Sequence, residues 1–242
     1  MIRRLLAVAA TLSAALALAA CSSADAGPPP PAAGIDAAHP LVLELFQSQG
    51  CSSCPPANAN LNALADRPDV IALSFAVTYW DKLGWKDRFA QPGFTARQYA
   101  YAASGHSDGV YTPQVVLNGR SALVGSDRAV LGRAMAAAGA VRGGPGLSRA
   151  GDRLRIAAAP GQHGDILLVT YDPRSRDVPI RAGENSGRTL PHRNIVTDLR
   201  QLGTWSGAAQ SLALPPPGDR ALRRVVLIQQ GSGGAIVAAL RV

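Results

Sequence analysis

Leu41-Val42-Leu43-Glu44-Leu45-Phe46, then Gln47-Ser48-Gln49-Gly50, then Cys51-Ser52-Ser53-Cys54-Pro55-Pro56: this stretch decides the fold. Its first part is an apolar run of strand length, as expected for a strand covered on both faces. A short polar loop follows. Leu61, Leu64 and Ala65 then recur at helical spacing, so a helix starts near the cysteines and ends around Asp66-Arg67-Pro68. Val70 to Val77 reads as a second strand. Strand, helix, strand in that order predicts a parallel βαβ unit.

A Cys-x-x-Cys at a helix start is the arrangement that thiol–disulfide exchange uses. The first sulfur lies beside unpaired backbone N–H groups, where the helix dipole favours its thiolate. The second lies one helical turn on and can attack a mixed disulfide. Cys51 is therefore expected as nucleophile and Cys54 as resolving thiol, with the disulfide itself as the only redox group. Other readings compete. Zinc takes about four ligands, and His39, His106, His163 and His192 show no ligand spacing. A purely structural disulfide closing so small a loop stabilises little. Copper(I) could be held by the two thiolates with a histidine as third ligand.

Outward from this unit, Thr78 to Val110 reads as a long insertion holding Tyr79, Trp80, Trp85, Phe89, Phe94, Tyr99 and Tyr101, with a helix over Thr95 to Ser104. Tyr111-Thr112-Pro113 leads into a strand from Gln114 to Leu117, an Asn118-Gly119 turn and a strand from Ser121 to Val124. Asn-Gly between apolar runs is a strong hairpin signal. Ser126 or Asp127 caps a helix reaching Ala138. Near Arg142-Gly143-Gly144-Pro145 the texture changes. Short alternating runs follow: Arg153 to Ala158, Asp165 to Tyr171, Val178 to Arg181, Asn194 to Leu199, Gln210 to Leu214, Arg223 to Gln230 and Ala235 to Val242. They predict a mostly antiparallel, β-sandwich-like domain over 143–242 after an α/β domain over 39–142.

The segments Glu44-Leu45-Phe46, Ser48 to Pro56, Tyr79-Trp80-Asp81, Leu83 to Asp87, Val110 to Gln114 and Gly125 to Arg128, with Gly183-Glu184-Asn185 and Gly187 to Leu190, resemble a secreted, thioredoxin-like bacterial family, the domain of unknown function DUF1223. The resemblance covers nearly all of the chain after its N-terminal segment. It implies a thioredoxin-like fold over 39–142 and a redox-type site. Family members often carry Thr where Gln47 stands, Asp where Asn58 stands, and His and Asp where Ala76 and Thr78 stand. Thioredoxin-like proteins place a cis-proline after a Thr, opposite the dithiol, and Thr112-Pro113 fits that role. They also use a buried acid to move protons for the resolving cysteine, which makes Glu44 a candidate relay, although its spacing from Cys51 could place it on the other side of the sheet. Tyr79, Trp80 and Asp81 follow the second strand's C-terminal end, where α/β sites gather; they are candidate walls of a substrate groove. Glu184, Asn185, Thr189 and His192 read as a polar scaffolding cluster.

The N-terminus is an address. Met1-Ile2-Arg3-Arg4 precedes an apolar run from Leu5 to Leu18, shorter than the ~20 residues that span a bilayer but suited to a secretory signal. It ends Leu18-Ala19-Ala20-Cys21, which resembles a bacterial lipobox. The expectation is a signal peptide over 1–20, lipid on Cys21 and a proline-rich tether over 21–38. Ser22 after the cysteine resembles the class sorted to the outer membrane, so the protein is expected on its periplasmic face. The net charge of +8 falls by two without Arg3 and Arg4. Its arginines are scattered, with no basic and aromatic stripe, so no nucleic-acid partner is expected. The expected partner is a protein or small thiol.

Overall fold

The computed structural model describes residues 34–105 and 107–242. The signal segment 1–20, Cys21, most of the tether and His106 lie outside the described residues. The opening stretch forms β1 (Leu41–Gln47), α1 (Pro55–Leu64) and β2 (Val70–Ala76). β1 and β2 are parallel, with Leu41 opposite Val70 and Gln47 opposite Ala76; the intervening helix supplies the crossover a parallel pair needs. Pro55 and Pro56 start α1, because the first helical N–H groups have no intrahelical acceptor to lose. α2 (Pro92–Ala103) opens the same way, a little before the expected Thr95. β3 (Gln114–Leu117) and β4 (Ser121–Leu123) form the expected hairpin. Asn118 and Gly119 turn it at φ 50 and φ 60, as a tight hairpin requires. α3 (Arg128–Ala138) is capped by Asp127, whose carboxylate accepts the Val130 N–H at 2.9 Å.

Alternation along β1 divides the core. Leu41, Leu43 and Leu45 pack with Leu61 and Leu64 of α1 and Leu131 and Met135 of α3. Val42 and Phe46 pack on the other face with Phe75, Phe94 and Tyr101. Phe46 stacks on Phe75 at 5.3 Å between ring centroids, and Phe94 meets Phe75 edge-on at 5.2 Å.

The second half comprises β5 (Leu147–Ala150), β6 (Arg153–Ile156), β7 (Gly164–Asp172), β8 (Arg176–Pro179), β9 (Thr189–His192), β10 (Ile195–Trp205), β11 (Gln210–Ala213), β12 (Arg223–Gln229) and β13 (Ile236–Arg241). Here the architecture corrects the expected sandwich. β7, β10, β12 and β13 extend the first sheet into one of eight strands, ordered β13-β12-β7-β10-β2-β1-β3-β4. The seam is parallel: Ile195 of β10 lies opposite Ser74 of β2, and the Ser74 N–H donates to the Asn194 carbonyl at 2.9 Å. Asn194 also donates its side-chain amide to the Ala72 carbonyl at 2.9 Å. The core on the α2 side takes in Val169, Tyr171, Val196, Val225, Leu227 and Ile236, so neither sheet nor core breaks at 142–143. Strand period shows which residues alternate but not which edge they join, and the edge of β2 needs a partner. Among the described residues, the second β layer is the three-stranded sheet β11-β6-β5, which packs on β7, β12 and β13 through Leu154, Ile156, Leu168, Val226 and Val237. β8 and β9 form a separate hairpin. The result is a mixed α/β protein on a large, mostly antiparallel sheet. No helix among the described residues is long and apolar enough to cross a membrane.

Candidate functional site

Cys54 is the N-cap of α1, and Cys51 lies on the turn ahead of it, its carbonyl accepting the Cys54 N–H at 3.2 Å. They form a disulfide with Cα atoms 5.4 Å apart. Both are fully buried, where exchange chemistry calls for sulfurs within a partner's reach. Ser52 and Ser53 between them are exposed, so the disulfide lies directly beneath a surface turn.

The Thr112–Pro113 bond is cis, and this segment meets the turn. The Ser53 hydroxyl donates to the Thr112 carbonyl at 3.4 Å and lies 3.4 Å from Cys51 Sγ. The Trp80 indole N–H donates to Thr112 Oγ1 at 2.7 Å. The Tyr79 hydroxyl donates to Gln98 Oε1 at 3.2 Å, and Gln98 Nε2 donates to the Tyr111 carbonyl and Gln114 Oε1 at 2.8 and 2.7 Å. Tyr79 and Trp80 thus hold the Tyr111–Gln114 segment in place. Burial lifts the Tyr79 pKa above its ordinary value. Asp81 closes its own loop by accepting the Asp87 N–H at 3.0 Å.

Glu44 requires a correction. It shares strand parity with Val42 and Phe46, so it lies on the face of β1 away from α1. Its buried carboxylate accepts from Arg97 Nε at 2.8 Å and Nη2 at 3.1 Å, and from the Tyr101 hydroxyl. Arg97 also donates to Gln229 Oε1 at 3.0 Å. Burial drives the Tyr101 pKa well above the ordinary phenol. This is an ion pair tying β1, α2 and β12 together. It has no contact with the dithiol, and a guanidinium does not release its proton to one.

Residues given no role in the sequence reading complete the surroundings. Asp87, buried, accepts the Gln49 N–H at 2.8 Å and the Phe89 N–H at 2.9 Å. Burial pushes its pKa up to about 6. Trp85 donates its indole N–H to Gln49 Oε1 at 3.0 Å. Gln47 and Asn58, two positions where the chain departs from the family pattern, are buried partners: Asn58 Nδ2 donates to Gln47 Oε1 at 3.3 Å. The Asn58 N–H donates to the Cys54 carbonyl at 3.0 Å, so a neutral amide pair adjoins the first turn of α1.

The supposed scaffolding cluster divides in two. Glu184 accepts from the Ser52 N–H at 3.2 Å and the Ser52 hydroxyl at 2.6 Å. Asn185, fully buried, donates to the carbonyls of Gln49 and Cys51, each at 2.9 Å, and accepts from Arg188 at 2.8 Å. Gly183, at φ 72, lies against Trp85 so closely that a Cβ would stand 3.2 Å from the tryptophan Cβ. The sequence signal was the glycine at each end of Gly183-Glu184-Asn185-Ser186-Gly187, both at positive φ. His192 lies elsewhere, on β9, edge-on to Phe89 at 6.0 Å. Neither of its ring nitrogens has a hydrogen-bond partner, and burial pulls its pKa down to about 4. Among the described residues no group of three or more His, Cys, Asp or Glu is placed to hold a metal ion. A groove of about 740 Å³ between Pro40, Arg142, Gly144 and β13 lies at the far end of β1 from the dithiol.

A disulfide at the entrance of a helix that joins two parallel strands, with the loop between β8 and β9 bonded to its turn, marks the candidate site of a mixed α/β protein. The chain belongs to the DUF1223 family, described as a protein of unknown function, whose model matches residues 42–229. It is similar to the crystal structure of protein AGR_C_4864 from Agrobacterium tumefaciens, with 32% identity and a TM-score of 0.67 over 84% of this chain and 93% of that one. It also shares a fold with HBP35 of Porphyromonas gingivalis, with 11% identity and a TM-score of 0.54 over 84% of this chain and 74% of that one. No curated protein matches the chain.

Proposed function

We propose that this protein is an exported thiol–disulfide oxidoreductase on a thioredoxin-like scaffold, cycling Cys51–Cys54 between disulfide and dithiol. The observation that carries the reading is the site of the disulfide. It sits between the end of β1 and the first turn of α1, under an exposed serine turn, with Thr112 one hydrogen bond away. The positive end of the α1 dipole there lowers the pKa of a thiol and activates it, although Pro55 and Pro56 supply no N–H of their own.

In exchange, a partner thiolate attacks Cys51 Sγ. A partner–Cys51 disulfide forms, and the Cys51–Cys54 bond breaks, leaving the electron pair on Cys54, which takes up a proton. A second partner thiolate attacks the mixed disulfide, releasing Cys51. The partner dithiol is oxidised by two electrons and the protein disulfide reduced by two; the reverse sequence runs through the same intermediates. Because both cysteines are buried in the disulfide form, the turn carrying Ser52 and Ser53 has to move outward for attack. The partner is a protein or a small thiol. The N-terminal segment supports delivery across the inner membrane and anchoring through lipid on Cys21 at the periplasmic face of the outer membrane.

Burial of both cysteines favours a second reading, an inert disulfide in an interaction scaffold; copper(I) capture by the reduced pair is a third. Trapping separates them. Cys54→Ser is expected to accumulate mixed disulfides with thiol partners through Cys51, whereas Cys51→Ser accumulates none. Titration of the reduced protein with copper(I) checks the metal reading directly. A Cys54→Ser protein that forms no mixed disulfide with glutathione or protein thiols overturns the oxidoreductase reading.

A further inference from the structure

Resting on the oxidoreductase reading, we infer that Glu184 is a positioning residue that sets the redox balance of Cys51–Cys54 from the far half of the chain. Its carboxylate holds both the N–H and the hydroxyl of Ser52, at 3.2 and 2.6 Å. Ser52 follows Cys51 directly, so these two bonds hold the carboxylate next to the residue that carries the attacking sulfur. The carboxylate places a negative charge beside the position where a second one forms. The neutral disulfide does not meet that repulsion. Glu184 therefore weights the couple towards the oxidised form wherever the reduced form carries a thiolate.

The contact is seated by its neighbours. Asn185, fully buried, fixes the same loop through the carbonyls of Gln49 and Cys51, and Gly183 rests on Trp85. The Ser52 hydrogen bonds hold the Glu184 pKa below its ordinary value, so the charge is present at neutral pH.

Two quantities test this on the full mature protein: the Cys51 pKa, followed by thiolate absorbance, and the equilibrium with glutathione at pH 8. Glu184→Gln keeps an oxygen acceptor for Ser52 but removes the charge. It is expected to lower the Cys51 pKa and to move the glutathione equilibrium towards the dithiol by about threefold. Ser52→Ala, which loosens the contact without touching the carboxylate, is expected to move both the same way by less. Asp177→Asn, an exposed charge on β8, serves as a charge control and moves neither. If the wild type cycles and Glu184→Gln leaves both quantities unchanged, or changes only the unfolding temperature, the inference is wrong while the oxidoreductase reading stands. If the folded wild type resists reduction by glutathione and dithiothreitol alike, the reading fails and takes the inference with it.

Discussion

Glu184 Oε2 stands 2.6 Å from Ser52 Oγ, across a sequence separation of 132 residues. The turn between the two cysteines is therefore built jointly by the βαβ unit and by a loop that leaves β8 and returns to β9. The same joint construction recurs in the core, where Ile236 of β13 and Val225 of β12 pack with Phe46 of β1, and at the seam between Ser74 and Ile195.

That construction predicts that residues 39–142 do not fold alone. The fragment would leave the edge of β2 unpaired and uncover the apolar face that β7, β10 and β12 fill, an exposed strand edge prone to self-association. Thermal unfolding of the isolated fragment is expected to show aggregation or no cooperative transition. A sharp, reversible transition would mean that the first unit is self-sufficient.

Arg97→Met leaves Glu44 charged and buried without its partner. Removing one member of a buried pair costs about 3–5 kcal/mol, read as a lower midpoint in denaturant unfolding. The double variant Glu44→Leu with Arg97→Met is expected to recover much of that loss, because no orphaned charge remains. Since the pair lies on the face away from α1, Glu44→Gln should leave the Cys54 pKa in the reduced protein where it is. A shift of a full unit would restore Glu44 as a proton relay.

Much of the first half was readable because its signals are local. β3 matches the expected Gln114–Leu117 residue for residue, and Asp127 caps α3 as its position before the apolar period suggests. Signals were weak where strands lack alternation. Leu147-Ser148-Arg149-Ala150 of β5 carries one apolar anchor, and β9 contains Pro191, which argues against a strand. Nothing local could reveal that β10 joins β2, or that Asn185 reaches Cys51, since those bonds join residues more than a hundred positions apart. Glu44 shows the same limit in miniature. Strand parity groups it with Val42 and Phe46, but which of the two faces receives α1 is settled only by three-dimensional packing.

Acid stability tests the buried titratable groups. Burial holds the His192 pKa at about 4, below its ordinary 6.5. Its neutral form is the one the fold accepts, so its contribution is whole above pH 6.5, declines as pH falls towards 4 and is gone below that. Asp87 works in the other sense: its pKa is raised to about 6 from 3.8, so its contribution is whole below pH 3.8 and lost as pH rises through 6. Between pH 4 and 6 the two slopes oppose. His192→Phe removes the first, and the variant is expected to lose less stability than the wild type on acidification from pH 7 to 4, by on the order of 3 kcal/mol. Equilibrium unfolding at steps across that range checks it. Equal losses in the two proteins would mean that His192 titrates near its ordinary value.

The reduction potential of Cys51–Cys54 in the folded protein, measured by equilibration with glutathione or dithiothreitol, tests the central claim most directly. The account predicts a reversible two-electron couple between about −270 and −120 mV, the span occupied by exchange-active dithiols. A potential below about −300 mV, with reduction only after unfolding, is the behaviour of a structural crosslink and would contradict it.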